Sequence, residues 1–198
     1  MIAYFRGKSL VSRMIRWRTW GKYSHVAWIV DRDFDYTDPN GRKVLIPAGT
    51  IYESWHRKAK GAKRSGVRKG VAGDLHKPGT SLDLYAIELD DAQNNELLQR
   101  LEDWANDPEA GYDFRGAISG FVVRKDRAHS DKRLFCSELL MRCFSPMGIR
   151  FLINIKPWQT APEDMSHSPL QILIGGWSTG KPWLYYGHPP FKLPVGWR

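Results

Sequence analysis

The sequence predicts a single α+β domain. Three observations carry that prediction. Runs rich in β-branched and aromatic residues, His25 to Val30 and Thr50 to Trp55, together with the alternating stretch Ser81 to Leu89, read as strands. Leu97, Leu98, Leu101, Trp104 and Ala105 form one apolar stripe at helical spacing, and Cys136 to Phe144 reads as a second helix. The 198 residues, 42% hydrophobic and 13% aromatic, are enough for one core, and no internal repeat, low-complexity tract or second core is visible.

Taken in order, Ile2 to Phe5 can form a short strand. Ser9 is placed to cap a helix whose apolar positions are Leu10, Met14, Ile15 and Trp17, with Gly21 ending it. His25 to Val30 follows as a strand. Asp31 to Gly49 holds the turn signal Asp38-Pro39-Asn40-Gly41 and leads to the returning strand, Thr50 to Trp55. His56 to Gly70, dense in Lys and Arg, reads as a loop. After the third strand, Asp90 or Asp91 caps the Leu97–Ala105 helix. Tyr112 to Val123 is an apolar run read as helical, and Arg124 to Arg133 a charged connector. The Cys136–Phe144 helix is stopped by Pro146 and Gly148. From Lys156 onward Pro, Gly and aromatics predict an irregular tail packed back on the domain.

Charge and cysteine usage narrow the setting. A net charge of +9 is compatible with a polyanionic partner such as nucleic acid, anionic lipid or an acidic wall polymer. Arg57, Lys58, Lys60, Lys63, Arg64, Arg68 and Lys69 form a cationic run that is either a solvated loop or a contact for such a polymer. Cys136 and Cys143, seven residues apart on one helix, stand about 10 Å from each other, too far for a disulfide. A reducing compartment fits. In Met1 to Lys8 charge follows the short apolar run, which is not a signal-peptide layout. No apolar stretch approaches the ~20 residues of a membrane span. The expectation is a soluble protein, cytoplasmic as synthesised. The six histidines, His25, His56, His76, His129, His167 and His188, show no ligand spacing, so neither a metal nor a cofactor is expected. Phosphate-loop and dinucleotide fingerprints are absent from the sequence.

The chemistry-bearing pattern is a histidine at the head of one strand and a cysteine at the head of a helix. Cys136 in a helix first turn meets unpaired N–H groups and the positive end of the helix dipole, which favour a thiolate. His25 across a cleft supplies the base, and the backbone N–H of Cys136 a donor for a tetrahedral oxyanion. If Val26–Val30 pairs antiparallel with Ile51–Trp55, Glu53 has the same face parity as His25 and becomes its diagonal neighbour, able to orient the imidazole. Glu138 reads as a first-turn acid and Cys143 as core.

Ser9-Leu10-Val11-Ser12-Arg13-Met14-Ile15-Arg16, Tyr23-Ser24-His25-Val26-Ala27, Ile51-Tyr52-Glu53-Ser54 and Phe135-Cys136-Ser137-Glu138-Leu139 together resemble the permuted NlpC/P60 superfamily, in its YiiX/YaeF-like branch of papain-like cysteine amidases. Ala161 to Met165 and Ser168 to Leu170 resemble a segment near the end of such domains. The resemblance implies a circularly permuted papain-like fold: a small antiparallel barrel-like sheet with the cysteine-bearing helix packed on it. It implies a catalytic domain over residues 1–170, with 171–198 as an aromatic- and proline-rich tail. It further implies Cys136 as nucleophile, His25 as base and Glu53 as the polar third member, with Tyr112 or Tyr23 lining the substrate site. The papain signature around the cysteine is missing, so a papain-type endoprotease is not implied. The expected activity is hydrolysis of an amide, a cell-wall peptide or isopeptide-like bond, through a thioester. The alternatives are a lipid acyl hydrolase or acyltransferase of the same superfamily, and a non-catalytic basic module that binds nucleic acid or an anionic polymer.

Overall fold

The computed structural model describes residues 1–37, 40–56, 65–76, 80–114, 132–178 and 181–184. The Asp38-Pro39 half of the predicted turn, the cations from Arg57 to Arg64, most of the Tyr112–Val123 run and its connector, and the tail from Tyr185 lie outside these residues.

Among the described residues, one nine-stranded sheet organises the molecule. Its strands are β1 (Ile2–Phe5), β2 (His25–Ile29), β5 (Thr50–Trp55), β6 (Gly66–Val71), β7 (Leu82–Ile87), β8 (Gly111–Tyr112), β9 (Arg133–Leu134), β10 (Gln171–Ser178) and β11 (Lys181–Leu184), in the spatial order β11-β10-β7-β1-β2-β5-β6-β8-β9. The sheet curls into a half-barrel. Every pairing is antiparallel except β8 with β9. A separate hairpin joins β3 (Phe34–Thr37) to β4 (Lys43–Ile46). The helices are α1 (Leu10–Thr19), α2 (Ala72–Leu75), α3 (Asp91–Asn106), α4 (Cys136–Phe144) and α5 (Pro162–Ser166).

The central strands are covered on both faces, which is why they read as continuous apolar runs. Ile2, Tyr4, Val26, Trp28 and Tyr52 pack in one cluster with Leu97, Leu98 and Leu101 of α3 and Leu139, Leu140 and Phe144 of α4. Ala3, Phe5, Ala27, Ile29, Ile51, Leu82 and Leu84 make a second cluster from the alternate residues of the same strands. Asp90 caps α3 in a capping box with Gln93, and Ser9 caps α1 by accepting from the Ser12 N–H. Helix α1 runs to Thr19, and Trp20 rather than Gly21 takes the left-handed cap, at φ 52°.

Two of the sequence readings are corrected and two are extended. The Asp31–Gly49 insertion holds the β3–β4 hairpin: Phe34 pairs with Ile46 and Tyr36 with Val44, with Tyr36 and Ile46 buried. Second, the basic loop ends in a strand. Val67 and Val71 were masked by the charges between them, and β6 pairs with β5 along its whole length. Third, the tail is not irregular throughout. Gln171 to Ser178 adds to the sheet edge on β7, with a register shift between Leu173 and Gly175, and β11 pairs beyond it. Last, the apolar stripe of α1 faces water except at Ile15.

One backbone approach fixes how the sheet ends. A Cβ at Gly66 would stand 2.0 Å from the Ala110 carbonyl oxygen, so only glycine lets β6 meet Gly111 of β8. β8 in turn holds β9, which runs into α4 one residue later.

Candidate active site

The β2–β5 hairpin builds the first half of the site. Trp28 pairs with Tyr52 and Ile29 with Ile51. Continued, that register sets Glu53 opposite Ala27, two residues from His25 on the same face. The side chains meet: His25 Nε2 and Glu53 Oε2 are 2.6 Å apart. Both are buried, His25 at 7% exposure and Glu53 at 0%.

Helix α4 supplies the other half. Cys136 is its first residue, and the N-cap Phe135 offers no capping side chain, so the first-turn N–H groups are not satisfied by one. Cys136 acts on His25 through its charge and hydrogen-bonding capacity, both of which favour the charged imidazole. Burial opposes a charged His25, but the charge and hydrogen bond of Cys136, then those of Glu53, outweigh it and push its pKa up to about 9. Burial likewise opposes a charged Glu53. The hydrogen bonds and charges of His25 and then His76 win, and its pKa lies well below the usual carboxylate range.

Two residues complete the site that sequence reasoning did not place there. Arg68, opposite Glu53 across β5–β6, donates to Glu53 Oε1 from Nε at 2.8 Å and from its terminal nitrogen at 2.5 Å. Its guanidinium also lies over the Trp55 ring. Only Val67 and Val71, two residues to either side of Lys69, hinted at a strand there. His76, just past α2, brings Nε2 to 2.9 Å from Glu53 Oε2, the oxygen that His25 also holds. Its ring stacks on Phe5 at 4.3 Å and 14°. No local pattern in the sequence marks it.

A cavity of about 550 Å³ opens beside this cluster. Its lining includes His25, His76, Phe5, Trp55 and Leu75 together with Arg6, Lys8, Ser9, Ser12 and Ser24. Tyr112 is half-buried; burial, then the neighbouring Cys136, raises its pKa well above the ordinary phenol value. Tyr23 lies apart from the cavity lining. It is fully buried, donates to Asp83 and meets the Tyr85 hydroxyl at 3.2 Å. Cys143 is fully buried in the core, with its pKa pushed up to about 12 by burial.

Three groups could hold a cation. Nε2 of His25, Nε2 of His76 and a Glu53 carboxylate oxygen lie within 4.8 Å of one another, all buried. Two imidazoles and a carboxylate are a donor set that suits zinc and its neighbours. Arg68 holds the second carboxylate oxygen, as an outer partner of a metal ligand would. Two of the six histidines that look scattered along the chain, His25 and His76, are thus joined in space by one glutamate.

Fold and site together define a mixed α+β protein whose curled sheet presents a histidine–glutamate pair to a cysteine at a helix start. No protein-family model matches the sequence, and no curated protein matches it. Among solved structures, the chain resembles the metalloprotein yiiX from Escherichia coli O157:H7, DUF1105, with a TM-score of 0.58 and 18% identity over 87% of this chain and 93% of that one.

Proposed function

We propose that the protein is a cysteine-dependent hydrolase of the permuted papain-like, NlpC/P60 type, acting on an amide bond. The observation that carries this reading is the buried His25–Glu53 pair, 2.6 Å apart, with Cys136 favouring the charged imidazole and Glu53 held ionised. Cys136 gives its proton to His25, and the thiolate attacks the substrate carbonyl. The first-turn N–H groups of α4 face the resulting oxyanion. His25 returns the proton to the leaving amine as the C–N bond breaks, leaving a thioester. Water, deprotonated by His25, then splits the thioester and releases the acid. Glu53 holds the imidazole, while Arg68 and His76 hold Glu53.

Iodoacetamide labelling at neutral pH tests the activation step. Cys136 should label at least about tenfold faster in the native protein than in His25→Ala. Equal labelling of Cys136 in the two proteins would remove the basis for this reading. Release of an amine, against release or transfer of a fatty acyl group, separates an amidase from a lipid acyl enzyme.

A second reading is favoured by the His25–Glu53–His76 cluster and by the description of yiiX as a metalloprotein. A divalent cation held there would supply Lewis-acid chemistry in place of the proton relay. It would take the Nε2 lone pairs of both histidines and leave Glu53 Oε1 on Arg68. Equilibrium dialysis against Zn²⁺ should then show one bound ion, lost in His76→Ala and retained in Cys136→Ala. Zinc uptake that is unchanged in His76→Ala would rule this reading out.

A further inference from the structure

Helix α1 is built inside out. Leu10, Met14 and Trp17 recur at i, i+4 and i+7, the spacing of a core-facing stripe. Yet Leu10 is 81% exposed, Trp17 69% and Met14 37%. The side turned to the protein carries Ile15, the helix's buried residue, with Val11, Ser12 and Thr19 half-buried. Trp20 follows in the left-handed conformation, uncommon for so bulky a residue, and is 92% exposed. Exposed cations frame the stripe. Arg13 and Arg18 fall about 60° and 80° to either side of Leu10 around the helix axis, and Lys8 and Lys22 are exposed just beyond its two ends.

We propose that this face of α1 docks on the surface of an anionic lipid bilayer. Two tryptophans and a leucine rimmed by Arg and Lys suit the boundary between headgroups and acyl chains. The cations complement anionic headgroups. The stripe is a handful of side chains, well short of the roughly 800 Å² per partner that a stable protein–protein interface uses, whereas an interfacial helix works with this much. The first turn of the same helix, at Ser9 and Ser12, lines the cavity beside His25. Docking therefore sets the mouth of that cavity near headgroup level. The docking itself does not depend on the cysteine chemistry.

The test is co-sedimentation of the full chain with phosphatidylcholine vesicles, with and without 30% phosphatidylserine, in about 0.1 M salt. The native protein should bind the anionic vesicles and not the neutral ones. The double variant Leu10→Ser/Trp17→Ser keeps every charge and should lower partitioning at least about tenfold. Met14→Asp, which places a carboxylate in the stripe, should also weaken binding and serves if the double variant misfolds. Three results would overturn the proposal. One is no binding by the native protein. Another is equal binding by the variants, which would reduce the effect to the general attraction of a +9 chain. The third is self-association at sedimentation equilibrium that the double variant abolishes, which would make a second copy the occupant.

Discussion

Two buried glutamates, reached from the two faces of one strand pair, have opposite fates. Glu53 and Tyr52 are neighbours on β5, and Arg68 and Lys69 stand opposite them on β6. Because side chains alternate, one pair faces His25 and His76 and the other faces α3. There Glu102, 3% exposed, accepts from the Tyr52 hydroxyl, from Lys69 Nζ at 2.6 and 2.8 Å, and from Asn106 at 3.0 Å. Both carboxylates are saturated with donors. Glu53 differs in its partners: two imidazoles, a cavity beside them and a thiol beyond. Burial and saturation alone do not separate the two carboxylates. On the proposed reading, what separates them is whether a donor can pass its proton on.

Substitutions that separate the two regions should sharpen this contrast. The largest effect is expected from Cys136→Ala and His25→Ala, each lowering turnover by about 10³-fold or more while the thermal midpoint stays near native. Native turnover in Cys136→Ala would break the comparison outright. Glu53→Gln should cost about 10²-fold in turnover, because the amide still fits but no longer stabilises an imidazolium. Glu102→Gln should leave turnover within about twofold and lower unfolding stability by about 1–3 kcal/mol in urea titrations. A Glu102→Gln variant that lost turnover at full stability would erase the distinction between the two faces. Lys69→Met should cost less, about 0.5–1 kcal/mol, because its side chain is 41% exposed.

The smallest effect concerns pH. Burial raises the Glu138 carboxyl from 4.5 to about 8 despite the nearby Arg142. The folded chain then holds a proton that the unfolded chain releases, so this group's stabilisation is present below pH 4.5 and is lost as pH rises toward 8. Denaturation midpoints of the native protein should fall relative to Glu138→Gln across that window. Parallel curves would show that Arg142 keeps the carboxylate ionised.

Parts of this arrangement were written in local pattern. The shared parity of His25 and Glu53 follows from two strands and one antiparallel assumption, and Cys136 opens a helix whose stop signals are plain. The Ser9 and Asp90 caps are equally direct. Arg68 escaped because a strand facing a carboxylate can afford two adjacent cations, and charge density mimics a loop. His76 escaped because its place comes from the sheet's curl and the Phe5 stack, neither of which leaves a period in the sequence. The α1 stripe was legible as a stripe, but spacing says only that one face is apolar, not that the face is covered.

The contact at Gly66 ties the sulfur's position to a place with no chemistry of its own. Through β8 and β9, the rung that leads to Cys136 hangs from the same strand that carries Arg68. A methyl group added at residue 66 would wedge those rungs apart and swing the start of α4 away from the imidazole. Lost activity would then trace to a spacer rather than to any reacting group, and a screen scored on turnover alone would mistake a hinge pin for a catalyst.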